Sequence, residues 1–113
     1  MTIKWVKVDP LVMRGEPFLY NTRLTVRQLL ELRRGGYGVA QLLREHPELR
    51  IVGIAQAYRY ASEHRDRYGE FFDRNGSLTG PGFTDEEASS LPEGLRIAGI
   101  VVAAPRAPAR RTA

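Results

Sequence analysis

Cysteine is absent from this 113-residue chain, and histidine occurs only twice, at well-separated positions. The first absence removes disulfides, thiolate nucleophiles and every cysteine-based metal site, and the second leaves poor material for a histidine-based one. Long hydrophobic runs are also missing. The N-terminus, MTIKWVKVDP, carries lysine with no apolar stretch of secretory length behind it. The longest late run, Ile97 to Ala104, is too short to span a bilayer. The expectation is a cytoplasmic protein without a membrane partner. Its length allows one modest core rather than two ordinary domains.

What is present is charge, unevenly placed. The formal net charge is +4. Up to Gly69 the sequence has twelve basic and seven acidic residues; from Glu70 to Ala103 it has two and six; the last ten residues add three arginines. A basic front half followed by an acidic segment suits a nucleic-acid-facing domain with a differently employed tail, although small proteins with no such partner carry similar charge.

Ile3 to Val8 alternates well enough for a short strand, which Asp9-Pro10 stops. The stretch from Arg14 to Leu24, punctuated by Gly15, Pro17 and Asn21, reads as a hairpin or turn-rich arm folded against helices. A first helix begins at Thr25, where Thr25 and Gln28 form a capping-box pattern, and ends at Gly35-Gly36. A second runs from about Val39 to His46 before Pro47. Leu49 plugs the core, and a third helix runs from about Ile51 to Tyr68 with Ile51, Ile54, Ala55, Tyr58 and Ala61 inward. After Gly69 come an aromatic pair, Phe71-Phe72, a glycine-rich loop, a short helix capped at Thr84, and a β-branched strand from Leu95 to Ala104. The expected fold is mainly α. It is a three-helix, helix-turn-helix-like bundle with a short N-terminal strand and arm, and a C-terminal extension containing one short helix and one strand. The expected division is 1–69 for the strand, arm and helical domain, 70–104 for an acidic, apolar extension serving a partner or dimerisation, and 105–113 for a basic disordered tail.

The run Arg14-Gly-Glu-Pro-Phe-Leu-Tyr-Asn-Thr-Arg-Leu-Thr-Val resembles the signature of the domain of unknown function 433 family: a glycine, a proline, a Gly-Thr-Arg turn and a helix start. Leu29-Leu30 to Gly35-Gly36-Tyr37, Leu42-Leu43 through His46-Pro47-Glu-Leu, and the alanine-bearing helix Ile54 to Ala61 continue it. Two positions depart from the pattern: Asn21 replaces a glycine, and Arg50 replaces a threonine or serine cap. The resemblance implies a helix-turn-helix-like fold. For many members it also implies an antitoxin role beside a PIN-type ribonuclease toxin, with repression of the protein's own operon.

Candidate DNA contacts are Arg27, Arg44, Gln56, Arg59, Arg65 and Arg67, with Gln56 and Arg59 suited to base edges. The plain alternative is a solvated face, since Glu63 and Asp66 lie within pairing distance on the same helix. Arg14, Gly15, Pro17, Asn21, Thr22 and Arg23 are assigned to the arm, where Arg23 is expected to tie the arm to carbonyls or a helix end. Phe71, Phe72, Phe83, Leu91, Leu95, Ile97, Ile100 and Val102 are the candidate partner surface. The strand among them has a second reading, as pairing within a homodimer or with Ile3 to Val8. Deleting Phe71 to Ala113 is then expected to leave a folded module that no longer binds its partner. No spacing of serine, histidine and acid builds a catalytic centre, so neither an enzyme, a cofactor nor a small-molecule substrate is expected. Three functions remain: an antitoxin and autorepressor with a PIN-like toxin, operator DNA and a homodimer as partners; a stand-alone DNA-binding regulator; and a protein-interaction module without DNA binding.

Overall fold

Thr25 starts the helical part of the molecule as its residue type demands. Its hydroxyl accepts from the backbone amide of Gln28, and the Gln28 side chain accepts from the backbone amide of Thr25. This capping box opens α1, Val26–Arg34, whose buried stripe is Val26, Leu29, Leu30 and Arg33. The amides of Gly35 and Gly36 bond back to the last turn, and Gly36, at φ 105°, turns the chain into α2, Val39–Glu45. Residues 46–50 then make a tight connection with Leu49 buried in the core, and α3, Ile51–Glu63, follows. The computed structural model describes residues 4–103.

The N-terminal segment pairs as a hairpin. β1, Val6–Lys7, runs antiparallel to β2, Phe18–Leu19, with Val6 opposite Leu19 and Lys7 opposite Phe18. Trp5 beside β1 lies against Gly53 of α3, where an added Cβ would come within 3.1 Å of the indole ring. The strand is shorter than the run Ile3 to Val8; Ile3 lies outside the described residues. The third helix also stops earlier than its apolar pattern suggests. His64, at φ −132°, interrupts it, and α4, Arg65–Tyr68, starts at a new angle. The interruption has a local cause: the His64 ring stacks on Tyr60 at 4.0 Å, and its Nδ1 sits 2.8 Å from the Tyr60 carbonyl. Ile51, expected inward, is 36% exposed.

The segment after Gly69 is part of the same core. A 3-10 turn at Gly69–Phe71, the short helix α5, Asp85–Ala88, and a second 3-10 turn at Glu93–Leu95 fold it back over the bundle. Thr84 and Glu87 form a second capping box. Phe71, Leu78, Phe83, Leu91, Leu95, Ile100 and Val101 join the cluster made by α1, α2 and α3. The extended element of this extension is smaller than a strand from Leu95 to Ala104. It consists of parallel bridges of Phe83 and Ala98 with Val102, because Gly99, at φ 80°, turns the apolar run on itself. The Val101 amide then bonds to the Ile97 carbonyl, which faces Ile100 and Val101 inward. This extended piece therefore pairs within the chain and with Phe83, not with β1. Ala104 and the basic tail lie outside the described residues.

Candidate nucleic-acid and partner interface

The expected partner surface is corrected by this packing. Phe71, Phe83, Leu91, Leu95 and Ile100 are buried, and Phe72, Ile97 and Val102 are half-buried against the same core. Their apolar area is already withdrawn from water by their own chain, which is the more favourable use of it. Phe71 and Phe72 are covered by cations as well: Arg34 lies 4.6 Å over the Phe71 ring and Arg65 4.4 Å over Phe72. Residues 71–103 supply this layer to α1 and α3, so a chain cut at Phe71 is expected to lose stability.

The arginines divide into two groups. Arg27 sits at the centre of a network joining arm, α1 and α4: it donates to Glu70 at 3.2 Å and to the Arg67 carbonyl at 3.0 Å, and lies 4.0 Å from Glu16. Arg67 donates to Glu16 at 3.1 Å. Arg59 donates to Glu63 at 3.2 Å, one turn along α3, and Arg65 to the Gly76 carbonyl at 3.1 Å. Exposed pairs of this kind are weak, about 1 kcal/mol or less each, but each is a competitor to a phosphate. Arg44 on α2 is exposed and has no hydrogen bond or ion pair among the described residues, and Gln56 on α3 is half-buried. The structure adds Arg50, which sequence reasoning treated only as a missing cap. It is the N-cap of α3, makes no side-chain cap bond, and stands exposed at the end of the turn that Arg44 precedes.

The arm holds its shape through backbone bonds. The Pro17 carbonyl accepts from the Val26 amide at 2.9 Å, tying the arm to the start of α1. Asn21 takes the left-handed conformation, φ 63°, as asparagine does more readily than most residues. Thr22 fastens the turn: its hydroxyl donates to the Leu19 carbonyl at 2.9 Å and accepts from the Leu24 amide at 3.1 Å. The fastening expected of Arg23 is thus performed by Thr22. Arg23 itself is exposed, without a hydrogen bond among the described residues, on the wall of a groove of about 770 Å³. Leu11, Val12, Met13 and Phe18 form its apolar side, and Asn21, Thr22 and Glu48 complete its polar side with Arg23. The signal for this groove was in the sequence as Leu11-Val12-Met13, apolar residues between two turns with no helical or strand period to bury them. Arg14 and Gly15 lie in a 3-10 turn next to it, Met13–Gly15, at φ 56° and φ 79°.

Arg33 behaves unlike the other cations. It is 1% exposed, donates to the Ile100 carbonyl and to the Leu78 carbonyl at 3.4 Å, and lies 4.6 Å over the Tyr58 ring. No carboxylate pairs with it among the described residues. Burial holds its guanidinium below the ordinary arginine range, opposed by the adjacent Tyr58. Tyr58 is pushed up to about 12, first by its own burial, with Arg33 opposing. The sign follows directly: the unfolded tyrosine releases its proton near pH 10, so above that pH the unfolded state binds fewer protons than the folded one. Stability is therefore constant with respect to this group below about pH 10 and falls between about 10 and about 12, by up to about 3 kcal/mol. The Tyr58 hydroxyl has no hydrogen-bond partner among the described residues. Tyr58→Phe is expected to match or exceed the wild type at neutral pH by up to about 1 kcal/mol and to flatten part of the alkaline fall. Urea titrations at neutral pH and through the alkaline range check both; a clear loss at neutral pH would show that the hydroxyl is bonded.

Among the described residues no three histidine or acidic side chains converge as a metal ion would require, and no helix is long and apolar enough to cross a membrane. The described residues form a small, mainly helical bundle of five α-helices, the last of them in the closing extension, with a short N-terminal strand pair. Residues 6–61, the arm, α1, α2 and most of α3, match the family described as Protein of unknown function (DUF433). No curated protein and no solved structure matches it.

Proposed function

We propose that this chain is a non-catalytic, cytoplasmic antitoxin-type protein that binds a PIN-like ribonuclease toxin and represses its own operon through the α2–α3 unit. One observation carries the nucleic-acid part. Arg14, Arg44 and Arg50 stand exposed on the arm and around the α2–α3 turn without an intramolecular acceptor among the described residues, while Arg27, Arg59, Arg65 and Arg67 are engaged inside the chain. Cations free of internal partners are the ones that gain most from a phosphate, because no existing pair has to be broken. The second helix of such a unit enters the major groove from its N-terminal end, where Arg50 stands. The toxin contact falls to exposed faces of the bundle, since the apolar side chains of the extension are in the core.

The DNA arm is tested by titrating the full chain with its upstream DNA over a range of salt. Replacing Arg44 and Arg50 together by alanine is expected to weaken binding across sequences and to reduce the salt slope by about two, one for each phosphate no longer neutralised. An unchanged slope would remove the α2–α3 turn from the interface. The antitoxin arm is tested by co-expression with the protein encoded by the adjacent gene: a stable complex and relief of that protein's toxicity are expected. A complex without any DNA binding would favour an interaction module, a reading to which Glu45 and Glu48 lend support by lowering the positive potential of the same turn.

A further inference from the structure

The arm concentrates exposed apolar side chains. Val8, Leu11, Val12 and Tyr20 are all exposed, Leu11 by 93%, and Leu11 and Val12 line the groove described above. Three successive residues, Met13, Arg14 and Gly15, at φ 53°, 56° and 79°, form the left-handed turn that follows this lip. The turn is held by the Gly15 amide on the Val12 carbonyl and the Glu16 amide on the Met13 carbonyl, both at 3.0 Å. Two non-glycine residues in that region are unfavourable, so the lip is presented by a fixed backbone and not by a loose loop.

The face contains both halves of a contact. It has a protruding leucine and an apolar recess, and it has one cation, Arg23, and one carboxylate, Glu48, on the recess wall. A second, smaller hollow of about 330 Å³ is lined by Leu24, Gln28, Glu31, Leu32 and His46, and His46 lies 3.8 Å from Glu48. Opposite charges on one apolar wall are self-complementary: Arg23 and Glu48 each find the opposite sign on a second copy of the chain, whereas an acidic peptide would meet Glu48. A two-fold contact uses the same patch on both subunits, so that residue i of one meets residue j of the other and the reverse.

We propose that the arm is a homodimer interface in which Leu11 of each copy enters the groove of the other and Arg23 of each copy pairs with Glu48 of its mate. The pairing places the two α2–α3 units in one particle, which two half-sites on DNA require. It rests on the groove and not on the antitoxin reading: a dimer that binds no DNA would sink only that reading, and DNA binding by a monomer would sink only this one.

The test is sedimentation equilibrium of the full chain. Wild type is expected to dimerise, and Leu11→Asp, at a side chain that contributes almost nothing to the core, to weaken dimerisation at least about tenfold with unchanged helical circular dichroism. Arg23→Glu and Glu48→Arg are each expected to weaken self-association. An equimolar mixture of these two variants is expected to form a heterodimer, because both cross-pairs then join opposite charges, one as in the wild type and one with reversed sign. A monomeric wild type, a dimer indifferent to Leu11→Asp, or a mixture that stays monomeric would each overturn the proposal. So would a monomer whose Leu11→Asp variant instead loses the toxin, which would assign the groove to that protein.

Discussion

Replacing Gly80 by alanine is expected to cost about 3 kcal/mol or more of folding stability, a large fraction of the about 5–15 kcal/mol available to a small domain. Two effects act together. Gly80 adopts φ 103°, where an L side chain is strained, and a Cβ built there would lie 2.6 Å from both the carbonyl carbon and the Cγ of Arg33. The first costs about 1 kcal/mol by itself. The second cannot be relieved by a rotamer change, because the opposing atoms include the backbone of α1 in its last turn. Gly69 provides the comparison: its backbone is helical, at φ −56°, and nothing lies within 4 Å of an added Cβ. Gly69→Ala is expected to be neutral or slightly stabilising, since alanine restricts the unfolded chain more than glycine does. Thermal and urea unfolding of both variants measures the contrast, and a Gly80→Ala variant within about 1 kcal/mol of wild type would mean that the loop at 80 moves away from α1 without consequence.

The difference between those two glycines shows where the sequence was readable. The local signals were clear: a threonine and glutamine three apart, a pair of glycines, a proline after a histidine, each fixing a helix boundary through chemistry within a few residues. The break at His64 was not readable, because it has neither glycine nor proline and arises from a ring stacked on Tyr60. Among the ion pairs, Arg59 with Glu63 follows from helical spacing, whereas Arg27 with Glu70 spans 43 positions. The same holds for the candidate site. An unpaired Arg44 and Arg50 can be recognised only after the partners of Arg27, Arg65 and Arg67 are known. The largest discrepancy concerns residues 70–103. Their acidity and aperiodic apolar content suggest an appendage, yet they complete the core. The reason is long-range: Arg33 sits on the apolar stripe of α1, and carbonyls 45 and 67 positions away accept its protons.

Arg33→Ala is therefore expected to destabilise the protein by about 3–5 kcal/mol, although no acid pairs with the residue it removes. Desolvating the guanidinium is unfavourable, and it is offset here by two backbone carbonyls and by the face of Tyr58. Truncation deletes those gains. It leaves the Ile100 and Leu78 carbonyls without a donor, and it opens a cavity between α1, Tyr58 and the glycines at 80 and 82 that lie against the side chain. Arg33→Met separates the contributions. Methionine fills much of the stem volume and carries no charge to desolvate, so only the carbonyl bonds and the ring interaction disappear, and a loss of about 1–3 kcal/mol is expected. If methionine matched wild type, the buried cation would contribute nothing net, and packing alone would hold the extension on α1. If both variants lost equally, the carbonyl bonds would dominate, and the extension would be held by one side chain's donors. The expected intermediate result assigns Arg33 two jobs: filling the space between α1 and the extension, and supplying the donors that satisfy the turn around Gly99. Amide exchange across residues 78–102 reads the second job separately, because removing the donor to Ile100 should raise exchange there before the rest of the core opens.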